Sequence, residues 1–430
     1  FKIFTINRSD YKQIQQDKLK EFDWLWKVLV YGSYLDFNFV RRLKEDFLTI
    51  KEIIGDKGNY IFATGFHSRS QALEIPKDTS GIENIPFIKT NAIQSFFVDY
   101  TKEDLLEKEK IDIIKDVRIY QAPMLLTRKG LDMTTLTVKN SIARKDMIFK
   151  DGITSIKPLN ENGISGLSDI SAIFSSNIFS YYAINTFVSI GIEREQVQNY
   201  NKFSLPYLEI NASDTIEKIE KAKQQIYLET QEILIDNYKI HNLENTVNAE
   251  LSNINKFIYE KLELDDIELS LINYALEINL NLIVGNDDSK NLLFSTIDMN
   301  DEILKNYASI FVERFKSKLE KEDKKFVVEI WHTNQIVGMF FKLVPVSSFK
   351  NAIVWVDKQE SDWEIISLLT KISSEKVTDK LFVQKDIRGF EKDYFYIFKP
   401  NEKRLWHKAI GYLDVNEFAD AILKAGRKGI

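Results

Sequence analysis

Apolar residues recur at helical spacing between Asp36 and Leu48, where Phe37, Phe39, Val40, Leu43 and Phe47 share a face. Asp36 reads as the N-cap of that helix. Between residues 60 and 160 the helical period disappears and the chain turns β-rich. Tyr120 to Arg128 is strand-like, with Pro123 near its start or on an edge. Thr134 to Ala143 is dense in β-branched residues. Asp151-Gly152 separates the apolar runs 147–150 and 153–156, and this dipeptide predicts a hairpin because both positions tolerate positive φ.

Helical patterning returns at Leu167 and gives way to a small polar loop and an exit on Leu205-Pro206-Tyr207. Tyr181 and Tyr182 read as core residues of that helix. Thr215 to Ile235 places Ile216, Ile219, Ile226 and Ile233 on one face. Asn255 to Leu280 fits two short helices, with Asp265 or Asp266 near the start of the second. From residue 286 a separate α/β pattern begins. It predicts a helix from Asn300 to Leu319 and a hairpin of Phe326–Trp331 with Ile336–Val344 around His332. Further strands are expected at Ala352–Val356 and Tyr394–Phe398. A closing helix spans Asp414 to Ala425, with Asp414 and Glu417 at capping-box spacing and Gly426 at C′. The expected fold class is α+β: a β-rich domain over 1–210, a helical connector over 211–285, and a second smaller α/β domain over 286–430. A chain of 430 residues suits two or three domains.

Composition narrows the chemistry. There is no Cys, which excludes disulfides and thiolate metal sites, and the four His have no metal-ligand spacing. No uninterrupted apolar run reaches the length of a membrane span and no secretory pattern opens the chain, so a cytoplasmic protein without a membrane partner is expected. The chain begins at Phe1, which reads as a piece of a longer polypeptide. The net charge of −6 is unevenly spread. Residues 1–210 carry 28 Lys/Arg against 27 Asp/Glu, and the rest carries 30 against 37. The window 118–150 holds Arg118, Arg128, Lys129, Lys139, Arg144, Lys145 and Lys150 against only Asp132 and Asp146. It is the candidate electrostatic footprint for a phosphate backbone, with a solvated sheet face as the equally weighted alternative.

Other polar clusters carry less. Glu313-Arg314-Phe315-Lys316 has the wrong spacing for a nuclease centre and reads as a surface charge pair on a helix. His407, in the polar stretch after Lys399, is either a site or a loop packed on the last helix. His332, at a hairpin tip, reads as structural or exposed.

Three segments resemble adenine-specific DNA methyltransferases of restriction-modification systems, of type I or type IIG-like organisation. Ile173-Phe174-Ser175-Ser176-Asn177, Ser189-Ile190-Gly191-Ile192-Glu193-Arg194 and Leu205-Pro206 are similar to the closing segment of the target-recognition domain. Trp26 to Asp36 resembles the lead from catalytic domain into recognition domain. The run from Ile258-Tyr259-Glu260 onward resembles the helical tail after the recognition domain. The resemblance covers about 25–285 and leaves 286–430 unexplained. It implies sequence-specific recognition of double-stranded DNA for a methyltransferase core, upstream in the same chain or on a partner subunit. The implied DNA contacts are Arg118, Gln121, Arg128, Lys129, Lys139, Asn140, Arg144, Lys145 and Arg194, with base readout around Gln121, Asn140, Arg144 and Lys145. For Arg194 a local salt bridge weighs equally.

The chain departs from the full family pattern. It has no Pro-Pro dipeptide with which to clamp a flipped adenine, and the glycines from Gly55 to Gly65 lack the spacing of a loop that cradles S-adenosylmethionine. The resemblance therefore places S-adenosylmethionine and catalysis in a domain outside this segment, and the segment alone is expected not to transfer methyl groups. A protein-interaction scaffold in a phage-defence complex, with the acidic C-terminal part docking a partner, is the alternative from another class.

Overall fold

The computed structural model describes residues 14–56, 58–73, 78–79, 81–82, 84–191, 196–285, 295–356, 386–391 and 393–428. The chain is a mixed α+β protein. It divides into two compact units, one from Phe22 to Leu276 and one formed by the residues up to Glu21 and from Glu277 onward. The short helix α1 (Gln16–Glu21) belongs to the second.

The first unit opens with α2 (Leu25–Tyr31) and α3 (Tyr34–Glu45). Ser33, not Asp36, caps α3. Its hydroxyl accepts the Leu35 N–H, and the Asp36 carboxylate accepts the Ser33 N–H at 2.8 Å. Asp36 is thus the reciprocal half of a capping box three residues in. Phe39, Val40 and Leu43 bury the face that the spacing predicts.

The β-rich block is built on one antiparallel sheet. Its order is β1 (Tyr60–Thr64), β8 (Ile153–Pro158), β6 (Met124–Leu131), β7 (Val138–Ala143). Two minimal pairs complete it: β2 (His67–Ser68) with β5 (Ile111–Ile113), and β3 (Phe87–Ile88) with β4 (Glu103–Asp104). Met124 and Leu126 join Phe66, Phe87, Ile93, Ile148 and Phe149 in a core under one face of the sheet. Helix α4 (Asn162–Phe174) packs against β6, β7 and β8. Asp151-Gly152 forms a turn, closed by the Ile153 N–H on Lys150 O at 3.0 Å, but it does not join a hairpin. Ile148 and Lys150 make parallel bridges to Phe87 and Phe66, while β8 pairs with β6 and β1. Met147, Ile148 and Phe149 are all buried, so core burial draws that run under the sheet rather than into it.

After α4 the chain breaks at Ser175-Ser176, and Ser176 caps α5 (Asn177–Thr186) through the Phe179 N–H. Tyr181 and Tyr182 are fully buried core residues, as their spacing suggested. The one-turn α6 (Asn199–Lys202) precedes the Leu205-Pro206 exit. Helices α7 (Ser213–Glu229) and α8 (Asn237–Lys261) form a helical hairpin, followed by α9 (Asp266–Tyr274). The first of the two short helices read from Asn255 is the end of the 25-residue α8. Asp265 caps α9 with Glu268 as its reciprocal partner. Arg42 reaches both Glu268 oxygens, at 2.6 and 2.8 Å, and the Leu262 carbonyl at 3.0 Å. That fork ties α3 to the α8–α9 turn, so the helices read as a connector belong to the same unit as the β-rich block. The helical stretch continues into α10 (Leu280–Val284). Over Asp266–Val284 it is long and apolar enough to cross a membrane by length and mean hydropathy, although polar residues interrupt it and a third of that window is buried in the protein.

The second unit holds a five-stranded sheet of order β11 (Ile353–Trp355), β9 (Lys324–His332), β10 (Ile336–Pro345), β13 (Tyr394–Pro400), β12 (Ile387–Phe390). The β9–β10 hairpin forms as the pattern predicts. Helices α11 (Glu302–Leu319) and α12 (Lys408–Lys428) share its core. Helix α12 starts six residues before the predicted cap, and the His407 Nδ1 accepts the Ala409 N–H at 3.1 Å. Asp414 is instead buried mid-helix. It accepts from Tyr307 at 2.5 Å and pairs with Lys399 and Arg388.

Candidate nucleic-acid interface

The basic window is split. Strands β6 and β7 are antiparallel, with Met124 opposite Ala143 and Leu131 opposite Val138. Arg128, Lys129 and Lys139 therefore lie toward the β6–β7 loop, and Arg118, Gln121, Arg144 and Lys145 flank the other end. Four to five residues of β6 separate the groups, roughly 15 Å at strand rise.

The far group is largely committed to local partners. Arg118 grips Asp116 at 2.5 Å. Arg144 pairs with Glu220 on α7 at 2.9 Å, and its N–H donates to the Tyr100 hydroxyl. The Lys145 ammonium stands 5.0 Å over the Tyr100 ring. Gln121 is exposed beside them.

The loop-end group is looser. The half-buried Arg128 has no ion pair among the described residues. Lys129 and Lys139 each stand 3.4 Å from a carboxylate, Asp151 and Asp132 respectively. Asp151 is also 3.7 Å from His67. Partly exposed pairs at such distances contribute little to stability, and a phosphate can take the place of the carboxylate. The Val197 N–H donates to Lys129 O at 3.0 Å and Gln196 bridges Gly130, so the chain leaving 192–195 is pinned to this end. Arg194 itself lies outside the described residues.

Beneath this end sits a residue that sequence reasoning missed. Lys202 is fully buried, its ammonium 3.3 Å from Thr127 Oγ1 and 3.3 Å from Arg128 O. Among the described residues no carboxylate faces it. Burial, and then the charge of Lys129, brings its pKa down to about 7. A lone lysine in a one-turn helix gives no sequence signal of this.

Asn140 is not presented to any surface. It is 1 % exposed, its Nδ2 donates to Val138 O and Ser175 Oγ at 3.0 Å each, and its Oδ1 accepts Ser171 Oγ at 2.6 Å. The amide joins β7 to α4, and a base edge cannot reach it in this fold.

The remaining candidates are structural in place. His407 is largely buried, which lowers its pKa to about 4, and Trp406 beside it is core. His332 is buried with Nε2 2.6 Å from the Ile297 carbonyl. Glu313 and Arg314 are exposed on α11 while Phe315 is core. Among the described residues no group of three or more His, Asp or Glu could hold a metal. A Cβ on Gly65 would lie 2.0 Å from the Phe149 carbonyl oxygen, so this glycine serves backbone packing. Compared with known proteins, the chain matches no family model and no curated sequence.

Proposed function

We propose that this chain is the sequence-specific DNA-recognition region of an adenine-specific DNA methyltransferase of a restriction-modification system. The methyltransferase core and its S-adenosylmethionine would lie outside the segment, and no step of methyl transfer is assigned to these residues. The observation that carries the reading is the gathering at one sheet end of Arg128, Lys129, Lys139 and the chain that leaves the Gly191-Ile192-Glu193-Arg194 segment. The strongest resemblance and three cations without a tight carboxylate partner thus fall together. Duplex phosphates would exchange for the loose carboxylate contacts of Lys129 and Lys139, and Arg128 would extend toward a groove. Exchanging residues 120–165 for those of a related recognition domain in the reconstituted enzyme should change the methylated sequence. Methylome sequencing reads the outcome, and an unchanged motif overturns the proposal.

A second reading, a protein-interaction scaffold, draws on a different observation. The turn between α7 and α8 carries Ile233 at 99 % and Leu234 at 88 % exposure, with Tyr238 also largely exposed. Apolar side chains so exposed suit a protein contact. DNA affinity separates the two readings, since a scaffold would show no steep salt dependence.

A further inference from the structure

Strands β6 and β7 are joined by the loop 132–137, Asp-Met-Thr-Thr-Leu-Thr, at the end of the sheet that carries Arg128, Lys129 and Lys139. None of its residues is among the DNA contacts that the resemblance implies. Of the expected base readers, Asn140 is buried, and Gln121, Arg144 and Lys145 flank the other end of β6. The loop is locked in place. The Asp132 N–H donates to Thr137 O at 2.8 Å and the Leu136 N–H to Asp132 O at 2.7 Å. Leu136, at φ 55°, is 1 % exposed and roots the loop in the core. The Ser180 hydroxyl of α5 donates to Thr135 O at 2.6 Å. The Asp132 carboxylate accepts the Thr134 N–H at 2.9 Å and the Thr134 hydroxyl at 2.5 Å, and stands 3.4 Å from Lys139. Thr134 and Thr135 are left exposed at the tip.

That arrangement is selective. The Thr134 hydroxyl gives its hydrogen to Asp132, so its oxygen is left to accept. In the major groove the donors are the amino groups at adenine N6 and cytosine N4, whereas guanine O6 and thymine O4 are acceptors. The groove also admits a two-stranded β-ribbon such as β6–β7. Phosphate contacts from flanking cations set the register in which a rigid tip meets the base edges. We infer that the loop 132–137 is the base-reading element, with Thr134 accepting a hydrogen bond from the exocyclic amino group of an adenine or a cytosine. The inference rests on the DNA-recognition reading and deepens it, by naming the residue that selects a base and the group that it selects.

The test begins with selection from a randomised duplex library by the full chain, which defines the enriched site. Each adenine or cytosine of that site is then replaced, one at a time, by purine or pyrimidin-2-one, which lack only the amino group. At one position the wild type should lose about tenfold in affinity. Thr134→Val keeps the size of the side chain and removes the hydroxyl. It should bind the unmodified site about tenfold more weakly and be indifferent to the missing amino group at that position. Thr134 is exposed, so the variant should melt with the wild type. A merely structural role for Thr134 would leave the effect of the missing amino group intact. Gln121→Ala, at the other end of β6, should behave as the wild type. The chain has no Cys, so Thr134→Cys carries a single thiol for a photoactivated label, which should crosslink to bases of the enriched site, whereas labelled Gln121→Cys should not. A library from which no site is enriched overturns the DNA-recognition reading and this inference with it. An enriched site that Thr134→Val binds with full affinity, or at which it stays as sensitive to every missing amino group as the wild type, overturns the inference alone.

Discussion

Asn140→Ala separates the structural role of this residue from the base-reading role that its residue type invites. The side chain makes three internal hydrogen bonds, to Val138 O, Ser175 Oγ and Ser171 Oγ. At about 1 kcal/mol each their loss costs about 3 kcal/mol, and more where a serine hydroxyl stays buried without a partner. Ser171 is itself buried, so little water reaches the gap. A unit of about 250 residues loses roughly 2–4 °C per kcal/mol, which puts the expected fall in Tm of the Phe22–Leu276 unit at roughly 6–12 °C. The assay is thermal unfolding by circular dichroism, paired with DNA affinity below the transition. Affinity and sequence preference should be unchanged there. A variant that melts with the wild type yet loses sequence preference would return Asn140 to the interface.

Buried charge sets the other expectations. Lys202→Met should raise Tm at pH 7, because it removes an ammonium that no described carboxylate faces. The sign comes from the lowered folded pKa: the unfolded chain binds the proton more tightly, so stability should fall as pH drops from about 10.5 to about 7 and level off below. The methionine variant should lose that slope in a pH series of melts. Asp414→Ala should destabilise the second unit by about 3–5 kcal/mol, since it strands the buried Lys399; denaturant titration checks it, and a loss under about 1 kcal/mol would contradict the network's role.

Periodicity carried the helices and the β9–β10 hairpin well, because burial of one face sets both pattern and structure. Phe39, Val40 and Leu43 show this on α3, and Asp265 marks the true start of α9. Caps were harder wherever two polar residues competed. Ser33 lies three residues before Asp36, and both take part in one box. Asp414 and Glu417 have the spacing of a cap but lie inside α12, where the buried Lys399 and the partly exposed Arg388 call for a carboxylate. The Asp151-Gly152 turn was legible and its partners were not, because strand pairing is decided by the distant residues Phe66 and Phe87. The candidate interface was legible as a charge window only. Which of its residues share an end depends on register, and the burial of Asn140 and Lys202 depends on what α4 and α6 lay over the sheet.

Duplex DNA binding of the full chain, followed by fluorescence anisotropy from about 50 to 200 mM salt, decides whether the loop-end cations carry the phosphate contacts. Two triple variants are compared with the wild type: Arg128→Ala/Lys129→Ala/Lys139→Ala at the loop end, and Arg118→Ala/Arg144→Ala/Lys145→Ala at the other. The log–log slope should fall by about 0.9 for each phosphate deprived of its cation in the first and stay near the wild-type value in the second. No measurable DNA binding, or a slope reduced only in the second variant, would contradict the account.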